Sequence, residues 1–243
     1  MSRHDLPPRL LIDSASDFYR PAGRFALHFA RGKLAADPAY RAILEQGLLR
    51  DCTRVLDLGA GQGLIAAWLL AARSCHAAAR GWPAHWPAPP QLQEYTGIEI
   101  NAAEVRRARR AFARDGGARV QMLHADMRAA DFVSSDAAIL LDVLHYSDFP
   151  AQEHILARVR TALMPRGRVL VRIGDAGGGL GFTVSKAVDR AVVLMRLGRW
   201  RALHTRTLSQ WHALLERVGF RVRSMPMSSG TPFTNVLLLG ELA

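Results

Sequence analysis

One stretch constrains this chain more than any other: Val55-Leu56-Asp57-Leu58-Gly59-Ala60-Gly61-Gln62-Gly63, an apolar run that breaks into glycines at alternate positions and passes into the apolar segment Leu64–Arg73. Arg54–Leu58 has the near-continuous hydrophobicity of a strand buried on both faces, and the following segment has helical length. A strand–turn–helix of this kind is suited to holding a ligand. Glycine takes backbone angles other residues avoid and lets a ligand approach the main chain, and the helix start adds unpaired N–H groups. Two ligand classes use such a turn. The dinucleotide fingerprint G-x-G-x-x-G cradles a pyrophosphate, but here the third glycine falls one position early and position 64 is leucine. Asp57 also puts a negative charge at the mouth of the loop, which is unfavourable beside a diphosphate and favourable beside a cationic ligand.

The rest of the pattern predicts an α/β chain with seven strands. The first fifty residues read as helical: Ser14–Asp17 offers an N-cap, Phe18, Phe25, Phe29 and Leu34 recur at near-helical spacing, and Asp37-Pro38 can start a further helix. Strands are expected at Arg54–Leu58, Tyr95–Ile100, Arg119–Leu123, Asp136–Asp142, Arg168–Ile173, Phe220–Arg223 and Asn235–Leu239. Helices are expected over Leu64–Arg73, Ala102–Arg114, Ala151–Leu163 and Phe182–Trp200, with a flexible loop at Gly177–Gly179. Met164–Gly167 reads as a turn, and Thr207 and Gln210 have the spacing of a capping box for a helix that ends before Gly219. Cys75–Leu92 breaks the rhythm, with Trp82, Trp86 and four prolines among alanines. It suits neither helix nor strand and reads as an insertion, 75–93, on the surface or in contact with a substrate or partner.

At the glycine loop the sequence resembles the class I S-adenosylmethionine-dependent methyltransferases, whose first motif is an acidic residue followed by G-x-G-x-G. The resemblance covers roughly residues 50–240. It implies a Rossmann-like, mostly parallel seven-stranded sheet flanked by helices over 51–243, with residues 1–50 as a helical N-terminal cap. It implies a cofactor site of Asp57, Gly59, Ala60, Gly61 and Gly63, with Glu99 at the end of the second strand holding the ribose hydroxyls and Ile100 beside it. A carboxylate has two acceptor oxygens for a vicinal diol. Asp126, after the third strand, would meet the adenine amino group, with Met127 against the ring. The 42 positions from Asp57 to Glu99 exceed the usual span of about 20 in the related dinucleotide fold, and the Trp/Pro insertion accounts for the surplus.

The same resemblance places acceptor-site residues after the fourth strand, in Leu141-Asp142-Val143-Leu144-His145-Tyr146-Ser147-Asp148. A neutral hydroxyl acceptor must lose its proton. An unperturbed imidazole titrates near neutrality, so His145 is the candidate general base, against the alternative that it only packs under the cofactor. Asp142 would orient the methionine end or the histidine, and Tyr146 would line the pocket. Arg172 and Asp175 are secondary candidates; an arginine does not serve as a base and would bind an anion or a carboxylate. Phe18, Tyr19, Arg20 and Phe25 resemble the cover over a small-molecule acceptor pocket, with Phe182–Trp200 as another wall or as ordinary packing. The Asp142–Tyr146 run and the terminal Gly230–Leu238 are similar to bacterial methyltransferases of aromatic natural-product pathways, including aryl polyene pigments. That similarity implies a phenolic ring methylated on oxygen or carbon, either free or tethered to an acidic carrier protein.

Composition narrows the alternatives. The chain has 243 residues, 49% hydrophobic and 22% charged, which excludes a disordered or fibrous class. The net charge of +11 comes from thirty arginines and only two lysines, Lys33 and Lys186. An anionic partner is one reading, an RNA-modifying methyltransferase included. The arginines are scattered, however, apart from Arg106, Arg107, Arg109 and Arg110. The Asn/Asp-Pro-Pro-Tyr/Phe run of enzymes that methylate base amino groups is replaced by Asp142-Val-Leu-His145. A third alternative is a cofactor-binding partner subunit without catalysis. Cys52 and Cys75 are too few for a disulfide framework or a four-thiolate zinc site. The histidines lack metal-ligand spacing, so no metal is expected. Met1–Pro8 carries charge and two prolines rather than an apolar signal core, and no apolar run approaches the roughly 20 residues of a membrane span. The expectation is a cytoplasmic protein.

Overall fold

Residues 8–113, 118–174, 203–227 and 235–242 are described by a computed structural model. Two compact units, 1–137 and 138–243, divide within strand β4 (Ser135–Leu141). Arg114, Asp175, the Gly177–Gly179 loop, the expected helix over Phe182–Trp200 and residues 230–234 of the terminal run lie outside the described residues.

The N-terminal part of the first unit is helical: α1 (Arg9–Asp17), a 3-10 turn (Arg20–Ala22), α2 (Arg24–Ala36) and α3 (Pro38–Glu45). α3 starts where the sequence says it should. Asp37 accepts a hydrogen bond from the Ala39 N–H at 3.0 Å, and Pro38 fills the first helical position, where no N–H is needed. α1 differs from expectation. Ser14–Asp17 closes the helix instead of opening it, because buried Ser16 spends its hydroxyl on the Ile12 carbonyl at 2.6 Å, one turn back in the same helix.

Strands β1 (Arg54–Leu58), β2 (Glu94–Glu99) and β3 (Arg119–His124) pair in parallel, with Asp57 opposite Gly97 and Glu99 opposite His124. Between β1 and β2, α4 (Leu64–Ala77) buries every residue from Leu64 to Ala72. A helix apolar on all sides must be covered on all sides, and α1, α2 and α3 pack against it. α5 (Ala102–Ala111) is capped by Asn101, whose side chain accepts from the Ala103 N–H at 2.9 Å, and packs on β2 and β3. α4 runs past the expected end at Arg73 and takes in Cys75–Ala77 of the expected insertion; the rest of the Trp/Pro segment, 78–93, forms neither helix nor strand. Its Trp82 and Trp86 rings meet edge to face at 5.4 Å, His76 stands against Trp82 at 5.6 Å, and Trp86, Pro89 and Pro90 are buried.

In the second unit β4 leads through a 3-10 turn (Leu144–Tyr146) into α6 (Phe149–Ala162), β5 (Leu163–Gly174), α7 (Leu208–Val218), β6 (Phe220–Pro226) and β7 (Asn235–Leu242). β5 and β6 each pair antiparallel with β7. The expected turn at Met164–Gly167 lies inside β5: Arg166 has φ +62°, a local bend, and the ladder with β7 begins only at Arg168. The capping box at α7 is as read from sequence. Thr207 Oγ1 accepts from the Gln210 N–H, Gln210 Oε1 accepts from the Thr207 N–H, and Gly219 ends the helix. The seven strands run β3-β2-β1-β4-β5-β7-β6, parallel through β3-β2-β1 and antiparallel in β5-β7-β6. Among the described residues no helix is long and apolar enough to cross a membrane.

Candidate active site

The glycine loop leaves β1 and folds over the end of β2. The Gly59 and Ala60 N–H groups donate to the Ile98 carbonyl at 2.8 and 3.2 Å, and the Gly61 N–H donates to Glu99 Oε2 at 2.9 Å. Glu99 Oε1 accepts from the Asn101 N–H at 2.7 Å, so one carboxylate joins the loop to the start of α5. This close approach explains a glycine in β2. A Cβ at Gly97 would stand 2.5 Å from Met122 Sδ and 2.9 Å from the Ala60 Cβ. Gly61 presents the opposite situation: its φ is +56°, and a Cβ there would meet nothing within 4 Å. Backbone N–H groups, a carboxylate with two acceptor oxygens and open space beside a glycine suit a ribose-bearing cofactor. Gly63, at φ +78°, is the N-cap residue from which α4 starts.

Asp57, read as a negative charge at the mouth of the loop, is the penultimate residue of β1 and is buried. It is 4% exposed, and Tyr95 donates its hydroxyl to Asp57 Oδ2 at 2.5 Å. Burial raises its pKa to about 7; the Tyr95 hydrogen bond opposes the rise and the negative charge of Glu99 adds to it. Asp126 sits in the turn after β3, where Arg128 grips it through Nε at 3.0 and 2.9 Å and Nη2 at 2.5 Å. Met127 is part-buried beside it, and Ile100 is 47% exposed, its carbonyl bonded to His124 Nε2 at 3.1 Å. The N-terminal helices reach the loop as well. Tyr19, fully buried, donates its hydroxyl to the Gln62 carbonyl at 2.9 Å, and Gln62 Nε2 donates to the Ala26 carbonyl at 3.1 Å. Phe18 and Tyr19 pack on Phe112 at 5.7 and 6.2 Å. Phe25 is exposed and stacks on Phe29, and Arg20 pairs with Asp17 on the surface.

In the second unit Asp142 follows β4 at φ +56° and forms a two-pronged ion pair with Arg172, Nε to Oδ1 at 2.8 Å and Nη2 to Oδ2. The carboxylate that Arg172 was expected to bind is therefore present within the chain. His145 is 9% exposed, on the 3-10 turn, with its ring 4.1 Å from that of Tyr146. Its carbonyl accepts from the His204 N–H at 2.9 Å. Leu144, His145, Arg172, Ile173, Gly174, Thr205 and Trp211 line a small cavity.

Comparison with known proteins shows what this arrangement is similar to. Residues 56–169, which include the glycine loop, Glu99, Asp126 and His145, match a family model described as a methyltransferase domain. Over residues 56–169, just under half of the chain, the sequence is similar to a methyltransferase domain. The fold agrees with solved methyltransferases. An O-methyltransferase family protein from Burkholderia thailandensis is 19% identical at a TM-score of 0.63, covering 92% of this chain and 62% of that one. Human N-acetylserotonin methyltransferase in complex with S-adenosylmethionine is 18% identical at 0.58, covering 95% and 59%. An O-methyltransferase from neocarzinostatin biosynthesis, in complex with S-adenosylmethionine and 2-hydroxy-5-methyl naphthoic acid, is 23% identical at 0.52, covering 78% and 48%. At these identities the likeness is one of fold, and the chain spans about three fifths of the length of the first two. No curated protein matches in sequence.

Some contacts around the glycine loop go beyond what the sequence indicates. Tyr95 and Gly97 lie on the same face of β2, and a tyrosine in a buried strand needs a partner for its hydroxyl; that signal was available. Tyr19, Gln62 and Arg128 act through contacts that no local pattern specifies. The arginine cluster is partly occupied: Arg107 pairs with Glu104, and Arg109 donates to the Met122 carbonyl at 3.1 and 2.8 Å.

Proposed function

We propose that the chain methylates a hydroxyl of a small aromatic acceptor, with His145 as the general base. The observation that carries this reading is a mostly buried imidazole on the turn after β4, held against Tyr146 and bordering a cavity. S-Adenosylmethionine, when bound, supplies an electrophilic methyl group on a sulfonium whose departure as a neutral thioether needs no acid from the protein.

The residues that would hold it are the Gly59–Gly63 backbone, Glu99 and Asp126, with Ile100 and Met127 beside them. Glu99 already accepts from two main-chain N–H groups and is thereby oriented toward the loop. Asp57 supports the loop from within the sheet through Tyr95. The remaining work of the chain is to align an acceptor oxygen, exclude water and remove one proton. His145 takes that proton as the oxygen–carbon bond forms. Asp142, neutralised by Arg172, shapes the backbone that leads to His145, and Tyr146 flanks the ring. An acceptor of the naphthoic acid kind, as bound by the neocarzinostatin-pathway enzyme, fits this reading, whether free or on an acidic carrier. The partial internal use of the arginine cluster lowers the case for RNA.

The test is turnover of S-adenosylmethionine with a panel of hydroxybenzoic and hydroxynaphthoic acids, followed by mass spectrometry of the methylated product. His145→Ala should lower kcat by roughly 10²–10⁴-fold without changing cofactor affinity by calorimetry. Equal turnover at pH 7 would remove His145 as the base.

A further inference from the structure

The 3-10 turn that carries His145 is held from beneath by one side chain. Gln152, on the first turns of α6, has no solvent exposure. Its Nε2 donates to the carbonyls of Leu144 at 3.2 Å and Ser147 at 3.0 Å, residues that bracket His145 and Tyr146. The same nitrogen donates to the His204 carbonyl at 2.8 Å. Its Oε1 accepts from Arg206 Nε at 2.8 Å. A guanidinium only donates, so Arg206 fixes which end of the amide is oxygen and turns the NH2 toward the three carbonyls.

Arg206 is itself well fixed. It pairs with Glu153 at 3.0 Å, and its guanidinium lies 4.5 Å over the Phe149 ring. The His204 N–H closes the arrangement by donating to the carbonyl of His145 itself. The 144–147 turn and the 203–207 segment, far apart in sequence, are thus joined through one buried amide. Leu144 and His145 come from the first of these and Thr205 from the second, and all three border the same cavity.

We propose that Gln152 is a positioning residue that fixes the orientation of His145, with Arg206 setting the sense of its amide. The proposal rests on His145 being the base; its consequence for the ring itself does not. Without the amide, the Ser147 and His204 carbonyls lose this donor, the Leu144 carbonyl keeps only the Ser147 N–H at 2.9 Å, and the tie between the turn and the 203–207 segment through this side chain is gone. A displaced ring would cost turnover roughly 10²-fold, as about 1 Å of misplacement does.

The experiment uses the full chain with 15N-labelled histidine. The Hε1 resonance of His145, assigned by its loss in His145→Ala, carries the ring-current shift of Tyr146 at 4.1 Å. In Gln152→Ala it should move toward the free-histidine position while the resonances of His28 and His85, in the first unit, stay. An unmoved His145 resonance overturns the proposal. On a hydroxybenzoic or hydroxynaphthoic acceptor, Gln152→Ala should lower kcat at unchanged S-adenosylmethionine affinity and have no further effect in a His145→Ala background. A loss of the same size in that background overturns the proposal too, because Gln152 would then act elsewhere. Full turnover by His145→Ala would remove the base role alone, and the resonance would still decide whether Gln152 holds the ring. If Gln152→Ala does not fold, Arg206→Met, which leaves Gln152 in place but removes the donor to its amide oxygen together with the Glu153 ion pair, goes through the same measurements with the same expected and opposing results.

Discussion

Arg172 and Asp142 share a two-pronged ion pair in which the guanidinium side chain is 3% exposed and the carboxylate side chain 33%. The asymmetry matters because each partner has a different alternative: water reaches the carboxylate but not the cation. Asp142→Ala should therefore cost about 3 kcal/mol, the range found when a buried charge loses its partner. Arg172→Met should cost nearer 1 kcal/mol, since the freed carboxylate can be hydrated. Urea denaturation of both variants checks the ratio, and equal losses would contradict it.

Gly61→Val places a β-branched residue at φ +56° and fills the open space beside the loop. The backbone alone costs about 1–2 kcal/mol. The larger effect should be on ligand affinity: calorimetry with S-adenosylmethionine or S-adenosylhomocysteine should give a Kd raised at least about tenfold, or 1.4 kcal/mol. An unchanged Kd would put the cofactor elsewhere.

Glu99→Ala removes the acceptor for both the Gly61 and the Asn101 N–H groups. Each lost acceptor is worth about 1–3 kcal/mol where the donor is shielded from water. The same calorimetry should show weaker binding than for Gly61→Ala, which adds one methyl to open space. The reverse order would mean that the carboxylate does not hold the loop.

Asp57 titrates at about 7 in the folded chain, against 3.8 for an ordinary aspartate. The folded state therefore holds a proton that the unfolded state releases between those values. Stability from this group is full below about pH 4 and falls as pH rises to about 7, by up to roughly 4 kcal/mol at 1.36 kcal/mol per pKa unit. Asp57→Asn keeps an acceptor for Tyr95 and loses the titration. Its stability relative to the parent should rise between pH 5 and pH 8 in paired denaturation curves; a constant difference would show that the carboxyl is not shifted.

Tyr19→Phe deletes only the hydroxyl that reaches the Gln62 carbonyl. The buried carbonyl left behind should cost about 1 kcal/mol, read as a lower Tm. S-Adenosylmethionine should also bind a few-fold more weakly, because the loop loses its tie to the N-terminal helices. A lower Tm with unaltered affinity would confine Tyr19 to packing.

Much of the architecture was legible because its determinants are local. The apolar run of β1, the alternate glycines, the Asp37-Pro38 start of α3 and the Thr207/Gln210 box each specify a backbone conformation within a few residues. Where the reading failed locally, at Ser14–Asp17 and Met164–Gly167, side chains with capping or turn propensity were absorbed into longer elements.

The sequence by itself determined the strand–glycine–helix unit, the order of strands and helices, and the acidic residues at the ends of β1 and β2 and just after β3. Only the tertiary structure decided that Asp57 would be buried on Tyr95, that Arg172 would be satisfied by Asp142, and that the turn bearing His145 would hang on Gln152. The physical reason is separation along the chain. The Tyr19–Gln62 bond spans 43 residues and the Arg206–Gln152 bond 54. A buried polar group must find its partner wherever the packed helices and strands bring one, and no periodicity within a segment says where that is.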